Sequence, residues 1–210
     1  MRIVYTAIFG NYDELKEPLI ISPGVRYICF TDQVLNSKNW ELINVKGKYC
    51  SVKNAREVKL CLHKYFPFFT EALWIDANQQ INADINKLFD IAKENLTLLS
   101  HPWRDCIYKE AQECIRLKKD DQQTIVKQIN KYKKLGYPID NGMVATGLMI
   151  RRNVKYLNRF FDKWFEEVRQ ESKRDQLSFN YILWTNKIKY NLFDWQVLKS
   201  NFIRCDHNNK

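Results

Sequence analysis

The amino-acid sequence predicts a single α/β domain with a mixed, mostly parallel central sheet flanked by helices. Three observations carry that prediction. Apolar runs of strand length alternate with segments of helical period. The early runs each end in polar residues, as in RIVYTAIF-GN, VRYICF-TD and LWI-DAN. A chain of 210 residues with 45% hydrophobic side chains is long enough to bury one sizeable core, and it holds no internal repeat or low-complexity linker.

Residues 2–9 (RIVYTAIF) are rich in β-branched and aromatic side chains and stop at Gly10-Asn11, a strand followed by a turn. Residues 25–32 (VRYICFTD) repeat the plan, and residues 41–45 (ELINV) make a short third strand. From Ser51 to about Tyr65 the pattern is helical. Ser51 is the expected N-cap, Ala55, Val58 and Leu62 fall at i, i+3 and i+7, and Pro67 ends the run. Strands follow over 71–76 and 95–100. Residues 105–118 place Ile107, Ala111, Cys114 and Ile115 on one helical stripe, and residues 122–134 do the same with Ile125, Ile129 and Tyr132 before Gly136 and Pro138. GMVATGLMI, residues 142–150, reads as a strand whose two glycines allow a close approach to another group. An amphipathic helix covers 154–170, with Phe161, Trp164, Phe165 and Val168 inward, and a further helix covers 175–184.

The formal charge of +10, from 34 Lys and Arg against 24 Asp and Glu, suits an anionic partner. The bases are mixed with acids, however, as in RLKKDD and RQESKRD, which describes a solvated surface. A basic nucleic-acid-binding module is therefore the alternative reading and not the leading one. The first strand ends in FGNYDEL, neither G-x-G-x-x-G nor G-x-x-x-x-G-K-[ST], so methyltransferase and NTPase phosphate loops are not indicated. Six cysteines without a CxxC read as free thiols, several of them in the core, with no zinc site or disulfide framework. No apolar run approaches the ~18 residues of a membrane span, and the start is too polar after Phe9 for a secretory signal. The expectation is a cytoplasmic protein (host cytoplasm if viral), or a piece of a larger polypeptide with further domains.

Ligands of open α/β sheets bind beyond the carboxyl ends of the strands. That rule puts Gly10–Asp13, Asp32 and Asp76–Asn78 on one rim. In an extended segment residues i and i+2 point the same way, so Asp76 and Asn78 can offer two oxygens to one Mg²⁺ or Mn²⁺ ion of the kind that bridges to substrate phosphates. An ordinary strand terminus is the competing reading. On the first helix Arg56, Lys59 and His63 lie opposite the apolar stripe, on a face expected to be solvated. Arg56 is close enough to the rim to meet a phosphate or to pair with Asp32 or Asp76. HPWRD, residues 101–105, offers imidazole, indole and guanidinium, either a sugar platform or a capped loop with Asp105 starting the next helix. Asp175, at a helix start, either favours the helix dipole or faces a reacting centre. The polar tail IRCDHNNK frays by default; folded back to the rim it would bring His207 to a metal and Lys210 to a phosphate.

Taken in order, YTAIFGNYDEL, ICFTD, NAREVKLCLHKYFP, LWIDANQQI, HPWRDCIYKEA, GLMIRR and RDQLSFNYILW resemble a domain-of-unknown-function family of GT-A (Rossmann-like) glycosyltransferases with plant cell-wall, bacterial and viral members. The resemblance covers nearly the whole chain. It implies one domain over 1–210, with a nucleotide-sugar half over about 1–100 and an acceptor half over about 101–210. The implied enzyme is a metal-dependent hexosyltransferase moving a sugar from a UDP-sugar, of glucose or rhamnose type, to a glycan or glycoprotein acceptor with retention of configuration. By resemblance Thr6, Ala7, Phe9 and Tyr12 hold the base and ribose and Asp32 reaches one of them. Arg56, Lys59 and Lys210 serve the diphosphate. Asp76-Ala77-Asn78 stands at the Asp-x-Asp metal motif, with His207 as third ligand of Mn²⁺ or Mg²⁺. His101, Trp103 and Arg104 face the acceptor, and Asp175, then Asp140, are the candidates at the reaction centre. Two departures stand out. Asn78 replaces the second acid and removes a negative charge, and the glycine and Pro-Trp that usually accompany the late His and Lys are absent. Asn78 also keeps open a catalytically inactive glycan-binding relative. Neither a nucleic acid nor a membrane span is expected.

Overall fold

The structure is a computed structural model and describes residues 1–207. In chain order the elements are β1 (Arg2–Ile8), β2 (Val25–Thr31), β3 (Glu41–Asn44), α1 (Ser51–Leu60), α2 (Leu62–Tyr65), β4 (Glu71–Ile75), β5 (Gln79–Ile81), α3 (Asn86–Ile91) and β6 (Leu96–Ser100). They continue with α4 (Ile107–Arg116), α5 (Gln122–Lys134), β7 (Val144–Arg152), α6 (Lys155–Gln170), α7 (Asp175–Asn186), β8 (Asn191–Phe193), α8 (Trp195–Asn201) and β9 (Phe202–Arg204). Every expected strand and helix is present. The additional elements β5, β8 and β9 have three residues each, too few to display a period, and α3 and α8 have only six and seven.

Seven strands form one sheet in the order β3-β2-β1-β4-β7-β6-β8. The run from β3 to β4 is parallel, β7 is antiparallel to both β4 and β6, and β8 is parallel to β6. The carboxyl ends of β1, β2, β4 and β6 therefore share one rim. Strand alternation separates two cores. Ile3, Tyr5, Ala7 and Phe9 pack with Val58, Trp164 and Phe179 from α1, α6 and α7. Val4 and Ile8 pack with Leu88, Phe89 and Leu198 from α3 and α8. A third cluster ties α4 and α5 to Leu177 of α7. Among the described residues no helix is long and apolar enough to cross a membrane.

Three local expectations are corrected. The N-cap of α1 is Cys50, without a side-chain bond, and Ser51 is already helical. Asn54 ties down the preceding loop instead, accepting from the amides of Lys48 and Tyr49 at 3.0 and 2.8 Å. The Arg56/Lys59/His63 face is not solvated, because α6 and α7 cover it: Lys59 is 1% exposed, and the side chains of Arg56 and His63 are 16% and 12% exposed. Asp76–Asn78 is a turn beyond the end of β4, closed by Gln79 N–H donating to Asp76 O at 2.9 Å, so the extended i, i+2 geometry does not apply.

Candidate active site

A cleft of about 670 Å³ opens over the shared rim. One wall is the loop after β1, where Gly10 (φ +64) and Asn11 (φ 57) both take left-handed backbone. Only glycine fits the first position, since a Cβ there would lie 2.1 Å from Ser51 Oγ. Asp32 Oδ1 accepts the Gly10 N–H at 3.1 Å and so braces this loop. Ala7, Phe9, Tyr12 and Asp13 face the cleft from it.

At the centre, Asp76 leaves the end of β4 with its side chain 38% exposed. Trp74 Nε1 donates to Asp76 Oδ1 at 2.9 Å. Oδ2 lies over Gly147, where a Cβ would come within 3.1 Å, so the glycine is there for the close approach. The contact continues the β4–β7 register beyond Ile75–Leu148, with Asp76 N–H donating to Gly147 O at 3.0 Å. On the other side of β7 a bulge pairs Leu98 with Met149 but Leu99 with Ala145, leaving residues 146–148 unpaired with β6.

Asp175, the first residue of α7, lies 2% exposed beneath the cleft. Lys59 Nζ is 2.6 Å from its Oδ2, Arg56 Nε 3.0 Å from its Oδ1, and Thr146 Oγ1 donates to Oδ2 at 3.1 Å. Burial would raise the Asp175 pKa, but Arg56 and Lys59 outweigh it and hold the carboxyl far below its ordinary range. Arg56 thus pairs with Asp175 and not with Asp32 or Asp76. Its side chain still lines the cleft.

As far as His207 the tail returns to the rim. β9 pairs antiparallel with β5, Cys205 N–H donates to Asn78 O at 2.8 Å, and His207 lines the cleft. His207 Nδ1 is 2.6 Å from Asp13 Oδ1, while its Nε2 is 3.5 Å from Asn78 Nδ2. Among the described residues no group of three or more His, Cys, Asp or Glu side chains is placed to hold a metal ion. The donors that line the cleft, Asp76, Asn78 and His207, are oxygen and imidazole groups that suit Mn²⁺ or Mg²⁺ when substrate phosphates complete the shell.

On the opposite wall, HPWRD forms a loop that His101 itself caps. Nδ1 accepts the amide N–H of Trp103 at 3.3 Å and that of Arg104 at 2.9 Å, while Arg104 is ion-paired with buried Glu110. Asp105 does not cap α4, whose N-cap is Cys106; it pairs with Lys109 at 2.9 Å. Trp103 is 70% exposed and packs at 5.9 Å against Trp195. Lys118, Lys119 and Lys173 line the same side.

The structure therefore gathers Ala7, Phe9, Tyr12, Arg56, Asp76, Asn78, His101, Trp103, Arg104, Asp175 and His207 around one cleft. Others do not reach it. Thr6 is 1% exposed within the sheet, Asp32 acts through Gly10, and Lys59 lies under Asp175. Asp140 is exposed, in left-handed backbone, and pairs with Lys109 at 3.3 Å away from the cleft. Lys210 lies outside the described residues. Asp13 reaches the cleft as the rim rule expects, though the sequence assigns it no role, and cleft residues that sequence reasoning passes over include Thr146 and Trp195. Asp13 sits in the quoted FGNYDEL, and a signal for Thr146 was the glycine beside it.

Residues 1–207 match the sequence family described as TOD1/MUCI70, glycosyltransferase-like domain. "Alkaline ceramidase TOD1" of Arabidopsis thaliana is 26% identical, over 99% of this chain and 54% of that protein. "Probable hexosyltransferase MUCI70" of Arabidopsis thaliana is 26% identical, over 99% of this chain and 40% of that protein. The chain thus spans about half the length, or less, of these curated relatives. Among solved structures, the WbbM bifunctional glycosyltransferase in its apo form superposes with a TM-score of 0.55 at 10% identity, over 91% of this chain and 38% of that one. That likeness shows the fold, a GT-A type α/β domain.

Proposed function

Since the chain belongs to the TOD1/MUCI70 glycosyltransferase-like family, we propose that its cleft transfers a hexosyl group from a UDP-sugar to a glycan or glycoprotein acceptor, with Mn²⁺ or Mg²⁺. The observation that carries this reading is Asp76, half-exposed at the end of a central strand between the base-side loop of β1 and the Arg56–Asp175 pair. Phe9 and Tyr12 would flank the nucleotide, with Arg56 facing its phosphates. Asp76, Asn78 and His207 would hold the ion, which when bound offsets charge on the departing diphosphate. The Trp103–Trp195 pair offers aromatic faces to an acceptor ring.

Asp175 is buried, ion-paired on both oxygens and held ionised, so it supplies a fixed negative charge rather than a proton acceptor at neutral pH. That supports a retaining course in which the leaving phosphate takes the acceptor proton. A donor of glucose or rhamnose type remains part of this proposal. The ceramidase name of one relative supplies the competing activity. The test is to incubate the chain with a panel of UDP- and GDP-sugars plus Mn²⁺, and separately with ceramide. Donor hydrolysis that requires metal and is lost in Asp76→Ala is the expected result; ceramide cleavage without donor turnover would replace it. In the same protein UDP should raise the melting temperature much more with Mn²⁺ than with EDTA.

A further inference from the structure

We propose that Asp13 is a positioning residue for this metal site. Its carboxylate fixes the His207 imidazole so that Nε2 presents a lone pair to the cation, and it returns to the site the negative charge that Asn78 lacks. The inference rests on the transferase reading above and deepens it.

Three segments meet here: Asp13 from the loop after β1, Asn78 from the turn after β4, and His207 just beyond β9. Asp13 Oδ1 lies 2.6 Å from His207 Nδ1, with the two side chains 12% and 30% exposed. A neutral imidazole carries one N–H, and a carboxylate can only accept. The ring proton therefore sits on Nδ1 and the lone pair on Nε2. On the other side the Asn78 amide nitrogen lies 3.5 Å from Nε2, at the outer limit of a hydrogen bond, a contact compatible with the same tautomer that a cation at Nε2 would replace. Tyr12 packs at 5.1 Å from the imidazole centroid and restrains the ring. Histidines that ligate metals commonly donate their second N–H to a carboxylate, which sets the ring orientation and raises the basicity of the ligating nitrogen. Asp13 stands in that place, supplied by a different loop from the one that carries Asp76 and Asn78.

The test uses the chain with ¹⁵N-labelled histidine at mildly alkaline pH and without metal. His207 is one of three histidines, and its signals are assigned with His207→Gln. The wild type should show a protonated Nδ1 and an unprotonated Nε2, and Asp13→Ala should show mixed tautomers. Mn²⁺ affinity, read by electron paramagnetic resonance with UDP present, should fall on the order of 10- to 100-fold in Asp13→Ala. Asp13→Asn, which still accepts the Nδ1 proton but carries no charge, should keep the tautomer and lose affinity. An unchanged tautomer in Asp13→Ala, or Mn²⁺ binding indifferent to both Asp13 variants, overturns the proposal alone. A wild type that binds no Mn²⁺ with UDP overturns the metal-dependent reading along with it.

Discussion

Lys59 and Arg151 are two cations sealed under the same face of the sheet, 1% and 0% exposed, and the fold satisfies them in opposite ways. Arg151 meets neutral groups: Nη1 donates to Leu60 O and Nη2 to Asn158 Oδ1, each at 2.8 Å, and the guanidinium lies 3.7 Å over the Phe161 ring. Lys59 meets charge, with Asp175 at 2.6 Å and Asp76 at 3.9 Å, and Trp74 supplies the aromatic face at 5.3 Å. Away from the rim a buried cation is a packing element held by carbonyls and rings, even with the Arg151 Nε lacking a hydrogen-bond partner. At the rim it is paired with carboxylates, and one of them, Asp76, opens to the cleft. The difference separates scaffold from site within a single core.

Removing Asp175 should give the largest effect. Asp175→Ala takes from Arg56 its carboxylate and leaves buried Lys59 with Asp76 alone, at 3.9 Å, at a cost of about 3–5 kcal/mol of stability, measurable by urea denaturation. Arg151→Met should cost less, about 1–3 kcal/mol for the unsatisfied acceptors it leaves, with UDP binding unchanged. Equal losses in the two variants would break the contrast.

Acid sharpens it further. The folded-state pKa of Asp175 is depressed, so its stabilisation is fully present above the ordinary carboxylate value of 3.8 and is lost as pH falls below that toward the folded-state value. Asp175→Asn should flatten that acidic limb of stability, whereas Arg151→Met should leave its slope intact. Gly147→Ala is a smaller perturbation. Its methyl would press on Asp76 Oδ2, so UDP–Mn²⁺ affinity should drop while stability changes by about 1 kcal/mol or less. Least of all, Trp103→Ala at an exposed position should move stability by no more than ~0.5 kcal/mol and reveal itself only as weaker acceptor binding.

How much was legible in the sequence depends on how local the cause is. Strand ends could be read because apolar runs stop at polar residues, and those ends put Tyr12, Asp76 and His101 at the cleft. The burial of the α1 face is not legible, because helical period shows one apolar stripe but cannot show that Asp175 of α7 and Asp162 of α6 meet Lys59 and His63 on the other side. The return of the tail depends on β5 and β9, three-residue strands that pair Gln79 with Arg204 and Ile81 with Phe202 across most of the chain. No local pattern encodes a contact of that reach, and the Asp13–His207 bond depends on it.

The register of β7 against β4, which brings Gly147 opposite Asp76, works as a ruler. Side chains along a strand alternate between faces, so a slip of one residue turns each of them over. Thr146 would then lose Asp175, and a bulkier residue would replace Gly147 under Asp76. The spacing of the cleft's groups is set by how many residues β7 contains as well as by which ones. A single-residue deletion in β7 should therefore erase the site even where every residue named in it is kept.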